Sequence, residues 1–466
     1  MDAKDHKDDG IIDDTYAEGT GEETVLEVDH IAERQLCRKF DVRLMPVLAI
    51  MYLFNALDKG NLGNAQTVGL SDDLNFKPNQ YNLLVSIFFV PYVIFAPPTA
   101  IIGKKYGPAR VLPILMFTFG SMTLLAACTQ NFGGMFALRG ELARRLAVFY
   151  AASNIANAFS GLLSFGVFQI DSRIFVWRYL FIIEGSASVL FSIFAFWYLP
   201  RSAAQAKFLG EEEKALAFHR MQVDSSSIVQ EKFNFKDSIK IFTYPTTYCF
   251  LLIEICLGVP IQSVALFMPQ IIQRLGYGPV KTNLYTVAPN VGGAVMLLIL
   301  AFSSDFLRIR FPFIMLGFAL TFIGFIIYAA ISDVQAQLQL AYYACFMMVW
   351  GTSAPSVLLS TWYNNNIAHE GRRVVLTSVG VPLANLMGLV SSNIFRENEK
   401  PKYPTALITT ACFGACGCLI AGLLGGYMVF DNMRRNRRVG RKTTAADVPT
   451  KRLRDGPAVP EFRWFL

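Results

Sequence analysis

The sequence predicts an all-α polytopic membrane protein made of two helical bundles joined by a polar connection. Three observations predict it. About eleven apolar runs of roughly 20 residues follow one another, each long enough to cross the hydrocarbon core of a bilayer as a helix. Hydrophobic residues make up 53% of the 466 and charged residues 17%, against the roughly 25% charged of a soluble domain. The cations gather in short connections, where they report orientation. Strands of a β-barrel would be shorter and would alternate, so that architecture is excluded.

Residues 1–42 read as an acidic cytoplasmic tail, too poor in apolar residues up to about Asp29 to fold by itself. No cleavable leader is visible, so the first span, Pro46–Leu57 with its flanks, is expected to direct insertion. Arg34, Arg38, Lys39 and Arg43 place its start inside, and the cation-poor connection Asp72–Gln80 falls outside. The second span, Tyr81–Ile102, returns to Lys104, Lys105 and Arg110 inside. The third, Val111–Thr129, should emerge near Asn131.

There the alternation fails. Only Phe132–Leu138 precede Arg139, Arg144 and Arg145, which belong inside, and a crossing needs ~17–25 residues. From Leu142–Val167 and Tyr179–Leu199 onward the pattern resumes as though the chain restarted from the cytoplasm. Lys207, Lys214 and Arg220, then Arg308 and Arg310, then Arg372 and Arg373, and finally the Arg434–Lys442 cluster all fall inside. Two cytoplasmic ends demand an even number of crossings, yet the count is odd. One span is expected to be absent between Leu138 and Gly140. A re-entrant piece at Asn131–Ala137, or a reversed topology beyond it, is the alternative.

The polar stretch Pro200–Tyr244, with Glu211, Glu212, Glu213 and Lys214, divides the spans. It sets the boundaries: an N-terminal bundle over 43–199, a cytoplasmic connection over 200–246, a C-terminal bundle over 247–430 and a basic tail over 431–466. Paired bundles around such a connection are the plan of secondary transporters built from repeats. Each half carries a basic turn after its second span, Gly103–Arg110 and Ser304–Arg310.

Four stretches then carry a family resemblance: Leu57-Asp58-Lys59-Gly60-Asn61-Leu62-Gly63-Asn64-Ala65, Trp177-Arg178-Tyr179-Leu180-Phe181-Ile182-Ile183-Glu184-Gly185, Leu266-Phe267-Met268-Pro269-Gln270 with Leu275-Gly276-Tyr277, and Trp362-Tyr363-Asn364-Asn365-Asn366 with Gly371-Arg372-Arg373. From about Arg43 to Met433 the chain resembles fungal members of the major facilitator superfamily. The likeness is to the anion:cation symporter group that includes allantoate permease and the nicotinate and pantothenate transporters. The resemblance implies twelve spans, alternating access and uptake of a small organic anion with protons. It also implies a fourth span just before the turn Arg139–Arg145, where the charge alternation breaks.

Asp58 and Lys59 are the leading site candidates, because an ionisable group within a span costs ~2.5–3.5 kcal/mol or more at the bilayer centre and usually faces a cavity. Lys59 is assigned to the anion and Asp58 to the proton. Asn61 and Asn64 could line the same cavity or act as interhelical glue. Glu254 in the seventh span is a second proton carrier, or a group reaching for the interface. Gln262 and Ser263 follow Pro260, where a broken helix could offer polar groups. Asn385, between Pro382 and Gly388, is a further substrate contact. Asp305 is expected to lock the cytoplasmic gate through Arg308 or Arg310. Three departures from the family stand out: Lys replaces the commoner Arg at 59, Phe95-Ala96-Pro97 replaces a second-span Glu, and the first basic turn has no Asp.

No phosphate loop, nucleophile elbow or zincin motif appears. Eight cysteines and four histidines offer no zinc set, and no cofactor is implied. The net charge of +7 lies in turns and tail, so no nucleic-acid partner is expected. The partners are the bilayer, protons and the anion, most plausibly at the plasma membrane. Two other readings stay open: an exporter of a secondary metabolite, and a transport-inactive form lacking its fourth span.

Overall fold

The computed structural model describes residues 30–136, 153–170, 175–200, 206, 208–214, 216, 235–367, 369–400, 402–441, 443–445, 448, 456–457 and 459–466. Within these residues the chain is helical, as a bilayer demands of any crossing that satisfies its own backbone groups. The long helices are α1 (His30–Thr67), α2 (Gln80–Tyr106), α3 (Pro108–Ala126), α4 (Ser153–Val167), α5 (Val176–Tyr198), α6 (Pro245–Gln273), α7 (Pro279–Leu307), α8 (Phe311–Ala330), α9 (Leu338–Asn366), α10 (Glu370–Leu386), α11 (Gly388–Ile394) and α12 (Pro404–Val439). Among the described residues, nine stretches are long and apolar enough to cross a membrane, with α10 and α11 forming one of them; α2 and α4 pack beside these.

Two sequence expectations change, and a third falls outside the described residues. α1 begins at His30, inside the segment drawn as acidic tail. Its first turns hold part of the central connection: Leu36 packs with Ala206 and Leu209, Phe40 meets Phe208 edge-on at 5.7 Å, and Lys39 bonds Glu213. The span drawn as Leu142–Val167 is described only from Ser153, and residues 137–152, the place of the expected gap, lie outside the described residues. α6 is not broken at Pro260. It runs unbroken through Pro260 and Pro269, because a proline removes one backbone donor while packed neighbours hold the rest of the turn.

α1 to α5 form one bundle and α6 to α12 the other. In the first, α5 packs along α3 and against α1. At its outer corner Asp73 accepts from Trp177 Nε1 at 2.9 Å and from Arg178 Nε and Nη2 at 3.1 and 2.9 Å, while Arg178 Nη1 donates to Ala127 O. In the second, α8 lies between α9 and α12.

The bundles meet through α1 and α6, α4 and α7, and α2 with α10 and α11. Five hydrogen bonds that join them lie at the end expected outside. Asn79 N donates to Glu397 Oε2 (2.9 Å), Asn82 Nδ2 to Phe395 O (2.8 Å), and Asn283 Nδ2 to Thr67 Oγ1 (3.2 Å); Ser86 and Ser392 share a hydrogen at 2.6 Å, and Asn393 Nδ2 donates to Ser86. Phe267 stacks on Phe395 at 4.1 Å and takes Tyr81 edge-on. Two glycines permit this approach. A Cβ on Gly63 of α1 would lie 2.6 Å from Leu266 O of α6, and one on Gly161 of α4 would lie 2.8 Å from Asn283 O of α7. That end is closed.

Candidate functional site

Beneath the closed end, α1 carries Asn55, Asp58, Asn61 and Asn64 at intervals of three, a spacing that keeps them along one slowly turning face. All four are buried, at 5%, 1%, 0% and 4% exposure. Asn64 Nδ2 donates to Ser160 Oγ of α4 at 2.7 Å, and Asn61 Nδ2 donates to Glu184 Oε2 of α5. Glu184 is itself 1% exposed, and its carboxyl is near enough to Asp58 for the two to interact electrostatically. Asn55 Nδ2, Asn61 Oδ1, Glu184 Oε1 and Ser188 Oγ have no hydrogen-bond partner among the described residues. Buried polar atoms normally find partners. A cluster of such atoms along one path suits a passing solute or proton better than a packed core. The backbone of Lys59 lies within α1, but its side chain lies outside what is described.

In the other bundle the structure joins two candidates the sequence could only name separately. Gln262 Nε2 of α6 donates to Asn385 Oδ1 of α10 at 3.1 Å, while Asn385 Nδ2 donates to Val381 O. Ser263 shares a hydrogen with Ser391 at 2.7 Å, so the polar side of α6 faces α10 and α11. Gln262 Oε1 remains without a partner among the described residues. Glu254 lies about two turns nearer the start of α6, ~12 Å along the axis. It is buried against Gly380 and close to Tyr363. Interfacial snorkelling does not describe a carboxyl in that position.

The structure distinguishes the two cations named as partners for Asp305. Arg310 Nη2 donates to Asp305 Oδ1 at 2.9 Å, whereas Arg308 takes the left-handed conformation (φ 55°) that ends α7. Sequence reasoning missed Glu184, Asn55, Ser160 and Ser188 as site residues. The i, i+3 spacing from Asn55 was a signal available for the α1 stripe. Glu184 had one too, as an acid inside an apolar run, but it was read only as part of a family signature.

Two helical bundles meeting over a path of buried carboxyl and amide groups define a multi-pass membrane transporter. The chain belongs to the Major Facilitator Superfamily, whose pattern matches residues 48–140 and again 138–392. An uncharacterized transporter of Schizosaccharomyces pombe is 49% identical over 476 aligned positions, covering 96% of this chain and 94% of its own length. The high-affinity nicotinic acid transporter of Saccharomyces cerevisiae is 26% identical over 418 positions, covering 84% of this chain and 78% of its own. Among solved structures, a D-xylose-proton symporter superposes with a TM-score of 0.62 at 12% identity, over 81% of this chain and 97% of its own. At that identity the likeness concerns the fold alone.

Proposed function

We propose that the chain is built to import a small organic anion, of the carboxylate, vitamin or nitrogen-source type, with protons across the fungal plasma membrane. Both termini are cytoplasmic in this reading, and the closed end faces outside, so the conformation described is inward-facing. The carrying observation is the buried path in the N-terminal bundle, Asn55–Asp58–Asn61–Asn64 with Glu184. Asp58 and Glu184 together hold the transported proton, and Glu254 serves the second bundle. Lys59 supplies the charge that draws the anion, and Asn61, Asn64, Gln262 and Asn385 give it hydrogen-bond partners. The likeness to a nicotinic acid transporter supports a carboxylate cargo.

A second reading rests on its own observation. The family pattern breaks and restarts at residues 138–140, where the charge alternation fails. The relatives' alignments point the same way: 476 positions against 96% of 466 residues, and 418 against 84% of 466, leave roughly 29 and 27 positions of the relatives with no residue here. One crossing of ~20 residues with its turn has that length. We infer that this form lacks the fourth span, which leaves a slot beside α1 and makes it a poor transporter as it stands.

One comparison tests both readings. The chain, and the same chain with a family-type span inserted at Leu138, are expressed in yeast lacking its own carboxylate permeases, and uptake of labelled nicotinate, allantoate and pantothenate is measured. Saturable, proton-dependent uptake is expected of the restored form and little of the shorter one. Lys59→Ala in the restored form should abolish uptake. Robust uptake by the shorter form would overturn the second reading. Absence of uptake of all three by a restored form present at the cell surface, or normal uptake by Lys59→Ala, would overturn the first.

A further inference from the structure

The basic tail does not simply trail into solvent. Residues 456–457 and 459–466 seat on the cytoplasmic-side ends of the C-terminal bundle, with Phe462, Arg463 and Trp464 at 2%, 2% and 4% exposure. Two side-chain amides read its backbone as a neighbouring strand would. Asn432 of α12 donates to Trp464 O and accepts from Trp464 N, both at 2.9 Å, and Asn366 at the end of α9 does the same with Phe465, again at 2.9 Å. Only a group carrying a donor and an acceptor side by side can make that paired contact. Trp464 Nε1 donates to Asp431 Oδ2 (2.8 Å), and Trp362 Nε1 to Phe465 O (3.0 Å). Arg435 donates to Val459 O and Pro457 O (2.7 and 2.8 Å), and Arg463 Nε donates to Asn436 Oδ1 (2.8 Å).

The last contact reaches the gating turn. Arg310 N donates to Leu466 O at 2.6 Å. That N–H stands at the start of α8, where helix geometry leaves donors without an intrahelical partner, and the tail supplies the acceptor. The same residue's guanidinium holds Asp305. One residue thus joins tail and gate, while α9 and α12 hold the other side of the tail.

We propose that residues 456–466 are a positioning element of the transport cycle: an intramolecular clamp, seated through Asn366 and Asn432, that fixes the Asp305–Arg310 turn to the ends of α9 and α12 so that this bundle's gate moves as one piece. The inference rests on the transport reading, but its test uses no uptake, so the two fail separately. Hydrogen–deuterium exchange is followed by mass spectrometry on the purified full chain in detergent, comparing peptides over residues 304–314 with a reference at 270–278 on the opposite end. Asn432→Ala should speed exchange at 304–314 about tenfold, the effect of losing two hydrogen bonds, and leave 270–278 unchanged. Trp464→Phe, which loses the bond to Asp431 and part of the buried ring but keeps both backbone contacts to Asn432, should do less. A chain ending at Asp455 should exchange fastest there, gain nothing further from Asn432→Ala, and regain protection when a synthetic 456–466 peptide is added in saturating amounts. Rescue after folding separates positioning from a folding requirement. Unchanged exchange at 304–314 in Asn432→Ala, an equal rise at 270–278, or failure of the peptide to restore protection would each overturn the proposal.

Discussion

Replacing Gly63 by alanine should bias the molecule against its closed outer end. The added Cβ would stand 2.6 Å from Leu266 O, with Leu266 C at 3.6 Å and Pro269 Cγ at 3.9 Å. The nearest obstacle is a helix carbonyl, which cannot swing aside as a side chain can, so α1 and α6 must separate by several tenths of an ångström. Overpacking of this kind costs about 1–3 kcal/mol. In the proposed alternating-access cycle the cost falls on the closed state, the one in which α1 and α6 meet at this level. An equilibrium shifted by that amount moves 5–150-fold. Ser86→Cys, buried at the closed contact with Ser392, serves as reporter, and its reaction with a maleimide is timed with and without Gly63→Ala in purified protein. Labelling of the other thiols is subtracted using a chain that retains Ser86. The rate should rise by that 5–150-fold factor. Gly60→Ala is the control, since its Cβ meets only Ser160 Oγ at 3.4 Å within the same bundle. No acceleration in Gly63→Ala, or the same acceleration in Gly60→Ala, would refute the reasoning.

Two further outcomes follow from groups outside the spans. Asp73→Ala removes the acceptor shared by Trp177 and Arg178, whose side chain is 17% exposed; a stability loss of roughly 2–3 kcal/mol is expected for a largely buried cation left unpaired, read as a lower melting temperature, and an unchanged one would contradict it. At Glu397, burial opposes ionisation, but the Asn79 N–H and the Lys400 ammonium prevail and hold the carboxyl below its usual value of 4.5. A lowered value means the contact is complete above that pH and is lost as pH falls below it. Distances between spin labels on the 68–79 and 395–403 loops should therefore lengthen on acidification below 4.5, and Glu397→Gln should abolish that step.

The fold was legible where a bilayer imposes its own length scale. An apolar run of ~20 residues has one solution in hydrocarbon, so the spans from α6 to α12 could be drawn from composition alone. The arginines and lysines fail to alternate at 138–140, and the family match breaks at the same junction. The path was legible only in part. Asp58, Asn61 and Asn64 are neighbours along one helix and announce themselves by position. Glu184 meets Asn61 across 123 residues of chain, and no local pattern carries that pairing. Pro260 misled because a proline signals a break only when nothing packs around it, and α6 is the most enclosed of the nine candidate crossings at 72% buried. The tail was counted for its charge, and the apolar run Phe462, Trp464 and Phe465 is the signal for its seat on the second bundle.

The outer contact has an electrical consequence. Among the described residues, its hydrogen bonds within the spans join serines, asparagines, a threonine and a backbone carbonyl, with Tyr81 edge-on to Phe267 and close glycine contacts beside them. The carboxylate that takes part there, Glu397, lies beyond the long helices. Each elementary charge carried across a membrane is worth ~2.3 kcal/mol per 100 mV, and opening or shutting these neutral contacts carries none. A voltage response of the proposed cycle would therefore have to enter through charged groups elsewhere, the buried carboxyls Asp58 and Glu184 and the Asp305–Arg310 pair among them.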